Sequence, residues 1–371
     1  MEDFQQWLRL QITPGVGAQT AAGLLRRYGS PAEIFRQPES ALRRNLRPEL
    51  AAALRMVPAG LAPLQARVAH WLSHPDPGVS HALWTWADDH YPAALLTLAD
   101  PPLLLYVQGQ SRQTMPPALA LVGSRNPTPQ GLENAHAFAG ELVHAGFCIV
   151  SGLAWGIDAA AHQGALDATP SNPRWPTVAV VGTGLDRVYP ERNAGLAQQI
   201  ARQGLLISEY PPGTAPMGHH FPQRNRLIAA LSSAVLVVEA SLKSGSLITA
   251  KLALEIGREV MAIPGSIHSA QARGCHALIR QGAKLVESME DVLEELVPLL
   301  HAAPSAPATG PQDASPSPLL SAIGFDPVTL EVLAQRTGWA IPALQAGLLN
   351  LELTGEVARL PGGFFQRLHR L

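Results

Sequence analysis

Six short apolar runs, ALALVG, FCIVSG, TVAVVG, GLLISE, AVLVVEA and EVMAIPG, recur from about Leu119 onward, separated by segments long enough to hold helices. Parallel strands need a crossover connection, and a helix is the usual one. The alternation therefore predicts an α/β chain built on a doubly wound parallel sheet. Most of the runs are apolar on both faces, so helices should cover both sides of the sheet. Ligands of such sheets bind outside the carboxyl ends of the strands, and the polar motifs of this chain fall there.

Four small, donor-rich turns stand at those ends: Gly123-Ser124-Arg125, Ser151-Gly152 with Gly156, Gly182-Thr183-Gly184, and Ser244-Gly245-Ser246 preceded by Lys243. One such turn alone is most often glycine serving conformation. Four along one edge form a row of backbone N–H groups, hydroxyls and helix N-termini able to cradle phosphates. Arg187 occupies the place where a dinucleotide fingerprint would have its third glycine, and no P-loop Gly-Lys-Ser/Thr occurs, so no nucleotide cofactor is expected. Arg125 is the strongest single candidate, because a lone arginine in a small-residue turn has little packing reason to be there.

Between the fourth and fifth runs lies SEYPPGTAPMGHHFPQRNR, residues Ser208 to Arg226. It brings His219, His220, Phe221, Arg224, Asn225 and Arg226 into one irregular segment whose donors suit phosphate oxygens and base edges. Glu209 and Glu239, at strand ends, are expected to hold Arg224 or Arg226 by ion pairing. Asp158 reads better as a loop-orienting or helix-capping group than as a catalytic acid. The paired histidines lack a further ligand at useful spacing, so no metal is expected.

Composition sets outer limits. The formal net charge is only -2, so any nucleic-acid site must be a local patch. Arginine supplies nearly all the positive charge, with Lys243, Lys251 and Lys284 the only lysines, as a GC-rich genome would give. Cys148 and Cys275 cannot make a disulfide framework, the opening MEDFQQWLRL has no export signature, and no apolar run is long enough for a bilayer. A cytoplasmic protein without membrane contact is expected.

Five segments follow from the pattern. Residues 1–57 carry helical spacing around Thr13-Pro14-Gly15-Val16-Gly17, a helix-hairpin-helix pattern of SAM-like type, with eight arginines against five acids up to Arg55. Residues 58–117 are expected to connect it to the core and pack there. Residues 118–298 form the sheet domain and 299–318 a Pro- and Ala-rich disordered linker. Residues 319–371 read as two helices and a hairpin closed by Pro361-Gly362-Gly363, a small winged-helix pattern. That module holds four arginines against four acids and an apolar second helix, which favours a protein-contact or accessory role over sequence-specific DNA reading.

The motifs VGSRNPTPQG, SGLAWGIDAAAH, TVAVVGTGLDRVYPERN, SEYPPGTAPMGHHFPQRNRLIAAL, VVEASLKSGSLITAKLALEIGREVMAIPG and RGCHALIRQGAKLV resemble, in order and spacing, the DNA-processing protein A (DprA, also called Smf) family over roughly residues 85 to 290. The resemblance implies a Rossmann-like domain that binds single-stranded DNA, forms a homodimer, and hands the strand to the RecA recombinase in natural transformation or recombination; family members are not established enzymes. Carried over, its DNA contacts are Gly123, Ser124 and Arg125; Phe221, Pro222, Arg224, Asn225 and Arg226; and Lys243, Ser244, Gly245 and Ser246. Its dimer contacts resemble Cys275 to Leu285, which places His276, Leu278, Ile279 and Leu285 at an interface, although core packing explains the apolar ones equally well. Gln130 and Gly218 depart from the pattern, standing where relatives often carry Tyr and a basic residue. The lost cation shifts phosphate contact toward His219, His220 or Arg192. Ser151, Gly152, Gly184 and Arg187 complete the candidate DNA-binding set, and duplex DNA is a further candidate ligand.

Two other classes compete. A Rossmann-like nucleotide hydrolase cleaving an N-glycosidic bond would need a PGGxGT-type turn with a nearby glutamate, where this chain has Ser244-Gly245-Ser246. A winged-helix regulator would bind duplex DNA through residues 319–371.

Overall fold

The computed structural model describes residues 3–111, 115–168, 175–300, 318–323, 328–353, 357–360 and 364–367. The chain opens with α1 (Asp3–Ile12), α2 (Ala18–Tyr28), α3 (Pro31–Arg36), α4 (Glu39–Leu42), α5 (Pro48–Arg55) and α6 (Leu61–Ser73). Of these, α3 starts on ordinary capping chemistry: the Ser30 side chain accepts the Glu33 N–H at 3.2 Å, with Pro31 at the first helical position. Trp7, Leu8, Leu10, Leu24 and Leu25 bury against Leu104, Tyr106, Ile200 and Leu206, so the helical unit shares a core with one face of the sheet.

The sheet is laid down by β1 (Ser80–Thr85), β2 (Leu104–Gly109), β3 (Ala118–Val122), α7 (Pro129–His144), β4 (Cys148–Ser151), α8 (Ile157–Asp167), β5 (Thr177–Val180), α9 (Ala194–Gln203) and β6 (Leu205–Ser208). The chain then returns through α10 (His220–Leu231), β7 (Ala234–Val237), α11 (Ser246–Glu255), β8 (Glu259–Ala262), α12 (Arg273–Arg280), β9 (Lys284–Leu285) and α13 (Met289–Leu300). Among the described residues the strands form one nine-stranded sheet in the order β1-β2-β6-β5-β4-β3-β7-β8-β9. From β6 to β9 every pairing is parallel, while β1 with β2 and β2 with β6 are antiparallel.

Residues 58–117, expected to connect and pack with a strand-like LLLYVQG run at their end, supply α6 and two sheet strands, the second of them that run. The first of these, Ser80–Thr85, is half-buried with a weak apolar signal, and its pairing with Leu104–Gly109 is what makes it a strand. The six predicted apolar runs become β3 to β8, most of them buried on both faces as the helix layers require. After β3 the chain builds outward through β4, β5 and β6, then crosses back to place β7 on the other side of β3. That reversal creates a topological switch point between β3 and β7.

Downstream, α14 (Pro318–Ile323), β10 (Val328–Thr329), α15 (Leu330–Thr337), α16 (Ile341–Leu353), β11 (Val357–Leu360) and β12 (Phe364–Arg367) form a second unit. Its core is Leu319, Ile323, Leu333, Leu344, Leu348, Val357 and Phe365. Three helices and a β11–β12 hairpin, with β10 pairing antiparallel on β12, give the winged-helix arrangement, one helix more than the two expected. The Pro361-Gly362-Gly363 turn and nearly all of the 299–318 linker lie outside the described residues. Among the described residues no helix is long and apolar enough to cross a membrane.

Candidate nucleic-acid interface

Beyond β3 the Ser124 hydroxyl accepts the Asn126 N–H at 3.0 Å and donates to Gln271 Oε1 at 3.1 Å. The turn is fastened from both sides, which leaves Arg125 as its exposed side chain at the carboxyl edge. Across the switch point, Glu239 receives the Thr128 N–H at 2.9 Å and the Thr128 hydroxyl at 2.5 Å. Glu239, whose carboxyl burial pushes up, therefore ties the β3 and β7 loops together and holds neither arginine.

The loop after β4 is fixed by Asp158 in the first turn of α8. Its Oδ2 accepts the Gly152 N–H at 3.1 Å and the Ala154 N–H at 3.3 Å, the loop-orienting role expected of it. Between them Leu153 holds a left-handed φ of 57°, a strained choice for a side-chain-bearing residue. Its carbonyl is gripped by Asn193 Nδ2–H at 2.9 Å. Gly156 has φ of 92°, and a side chain there would strike the Ser124 carbonyl. At Gly152 a side chain would enter the space taken by the Arg224 guanidinium.

That guanidinium is the buried centre of the site. Arg224 Nη1 donates to the Val180 carbonyl, and burial lowers its pKa to about 10 against the opposing pull of Asp158. Burial likewise pushes the Asp158 carboxyl up, with Arg224 acting the other way. Three residues earlier, Phe221 lies 5.3 Å from the Tyr189 ring and 5.8 Å from the Arg125 guanidinium carbon. Asn225 Nδ2–H reaches the Gly245 carbonyl at 3.4 Å, joining α10 to the Ser244-Gly245-Ser246 loop. In that loop the Ser244 and Ser246 hydroxyls bond each other at 2.7 Å, and Lys243 is exposed.

These segments enclose a cleft of about 660 Å³ at the switch point. Its walls include Gly123, Ser124, Arg125, Phe221, Arg224, Asn225, Lys243, Ser244, Gly245 and Ser246. Asn126, Ser241, Ile248, Thr249 and Gln271 line it too, and sequence reasoning passed over them; Gln271 reaches Ser124 from 147 residues away, with no local signal to mark it. The cleft lining contains one carboxylate, the tied-back Asp158.

Other candidates lie elsewhere. Ser151 donates its hydroxyl to the Leu121 carbonyl at 2.6 Å inside the sheet, and buried Gly184 donates its N–H to Thr214 O at 3.1 Å. His220 is buried, stacked 3.9 Å from Tyr210 and bonded through Nδ1 to the Gly182 carbonyl at 3.1 Å, and burial lowers its pKa. His219 is exposed at the start of α10. Arg226 turns away from the cleft, pairing with Glu209 at 2.6 Å and Asp100 at 3.1 Å. Arg187 sits 3.5 Å from Asp186 beside a separate cleft of about 850 Å³. Arg192 and Gly152 line a small side cavity of about 90 Å³ next to the main one. Among the described residues no cluster of His, Cys, Asp and Glu could hold a metal ion.

On the expected interface, Leu278 is buried in the core and Ile279 packs against the same cluster. His276 Nε2 bonds with the Gly265 carbonyl at 2.9 Å. Leu285, on the edge strand β9, is exposed.

A doubly wound sheet with a hydroxyl-rich, cationic cleft at its switch point defines a protein of Rossmann-like fold, with the cleft where such sheets place their ligands. The family of DNA recombination-mediator protein A matches residues 82–297, and the DprA winged helix domain matches residues 303–363. The chain belongs to this DprA family. It is 42% identical over 308 residues to protein Smf of Escherichia coli K12, covering 81% of this chain and 80% of that one. The DNA processing protein DprA of Streptococcus pneumoniae is 47% identical over 212 residues, 56% of this chain and 72% of the relative. The X-ray structure of Streptococcus pneumoniae DprA superposes with a TM-score of 0.64 at 37% identity, covering 77% of this chain and 95% of that one. A structure of the Helicobacter pylori protein, described for its single-stranded DNA binding mode, gives 0.52 at 32% identity over 61% of this chain and 98% of the other.

Proposed function

We propose that this chain binds single-stranded DNA along the switch-point cleft and, as a homodimer, delivers it to a RecA-class recombinase. The observation that carries the reading is the convergence of three distant segments, Gly123–Asn126, Phe221–Asn225 and Lys243–Ser246, on one cleft. Backbone and hydroxyl donors line it, Arg125 and Lys243 supply exposed positive charge, and Phe221 offers a ring face for a base. A flexible single strand can enter such a groove, whereas a base-reading duplex contact needs an element laid in a major groove. The Helicobacter pylori relative's single-stranded DNA binding mode supports the same ligand here.

The cleft's one carboxylate is tied to backbone N–H groups, which favours a binder over a glycosidic hydrolase. Trp339, Ile341 and Leu349 are exposed on the winged-helix unit and favour protein contact there. Anisotropy of a labelled oligothymidine, titrated over a range of salt, tests the reading. Binding should be strong and salt-sensitive, and Arg125→Ala should weaken it with the fold intact by circular dichroism. Absence of binding by the unaltered protein, or release of base from a nucleotide, would refute it.

A further inference from the structure

Beside the main cleft, Trp155 is 44% exposed and Tyr189 46% exposed. The Arg192 guanidinium lies over the Trp155 indole, 4.2 Å from the ring centroid. Tyr189 faces Phe221, which in turn faces Arg125. These side chains and Arg224 surround the side cavity of about 90 Å³, which shares Arg125, Tyr189, Phe221 and Arg224 with the main cleft.

Single exposed aromatics are ordinary. This group differs because its backbone is over-determined. Asp158 takes the N–H groups of Gly152 and Ala154, Asn193 grips the strained Leu153 carbonyl, and Asn193 directly follows Arg192. The Trp155 and Arg192 segments are thus pinned to each other, and the indole–guanidinium stack is presented outward already formed. Its outer surface is a flat π-face with a fixed positive charge, and every charged side chain around the side cavity is an arginine. A neutral planar ring linked to a negatively charged group is the chemistry such a station recognises.

We infer that Trp155, Arg192 and Tyr189 form a base-stacking station that extends the DNA path beyond the cleft, taking one nucleobase as the adjoining phosphate meets Arg192 or Arg125. The inference rests on the proposed single-stranded DNA binding and adds a base-dependent share of affinity to it. Stacking leaves the number of neutralised phosphates unchanged, so it alters affinity without altering the salt slope.

The test compares the unaltered protein, Trp155→Ala and Trp155→Phe on labelled oligothymidine and on an abasic strand of equal length. Trp155→Ala should weaken oligothymidine binding about tenfold with an unchanged salt slope, and Trp155→Phe should restore most of it. On the abasic strand the alanine variant and the unaltered protein should bind alike. Equal affinity of Trp155→Ala and the unaltered protein for oligothymidine, or an equal loss on both strands, would overturn the station while leaving the cleft reading in place. No binding of either strand by the unaltered protein would remove both.

Discussion

The face of α10 turned to the cleft carries Phe221 and Asn225 opposite the exposed Arg125, whereas the other side of the same helix seats Arg226 between Asp100 and Glu209. Arg224 and Arg226 stand two residues apart in one motif, yet only Arg224 reaches the cleft wall. An arginine whose Nη2 and Nε meet carboxylates at 2.6 and 3.1 Å is held in a structural ion pair. Arg125, which faces a ring and solvent, keeps its charge for a ligand. What meets the guanidinium decides its task more than the motif that contains it. The N-terminal helices make the same point, since Arg9 lies over Phe35 and donates to the Leu54 and Met56 carbonyls.

The sharpest break of this contrast is Arg226→Ala. It strands the buried Glu209 carboxylate, whose pKa burial already pushes up, and should cost about 3–5 kcal/mol of stability in a urea titration. The folded fraction should keep the salt slope of oligonucleotide binding.

A second effect comes from behind the cleft wall. His162 is buried, and its Nδ1 lies 2.6 Å from the Thr177 hydroxyl, which itself donates to the Ile149 carbonyl at 2.8 Å. Thr177 must then accept from Nδ1–H, which makes the ring the neutral Nδ1-protonated tautomer with Nε2 unpartnered. Burial, aided by the Arg224 charge, lowers its pKa from 6.5 to about 3. As pH falls through 6.5, the unfolded chain takes up a proton that the folded one refuses. Stability is therefore complete above that pH and declines below it, by about 2 kcal/mol between pH 7 and 5 from this residue. His81 and His220, also lowered by burial, act in the same direction. Melting temperatures across that range should fall less steeply for His162→Phe.

On the ligand side, Arg125→Ala should weaken oligothymidine binding by about tenfold and reduce the magnitude of the salt slope by roughly one phosphate's share. Smallest of all, Arg187→Ala should change affinity less than about twofold, because that side chain pairs with Asp186 beside the other cleft.

Much of the sheet was legible because its strands are buried on both faces and read as unbroken apolar runs. The antiparallel edge was less so, since Ser80–Thr85 owes its strand to pairing with Leu104–Gly109 and not to its own pattern. In the cleft, Arg125 stood out through its small neighbours. The partners of Ser151, Arg226 and Ser124, namely Leu121, Asp100 and Gln271, lie far off in sequence, and no local pattern encodes such contacts. Trp155 carried a faint signal, a large aromatic directly before Gly156, but its pairing with Arg192 is visible only in the fold.

The central claim is that one strand runs through the switch-point cleft. Photo-crosslinking with an oligonucleotide containing 4-thiothymidine, followed by peptide mapping, addresses it most directly. Adducts should fall on Gly123–Asn126, Phe221–Asn225 and Lys243–Ser246, and on the Trp155 segment. Adducts confined to the winged-helix unit or to α1–α6 would contradict the account.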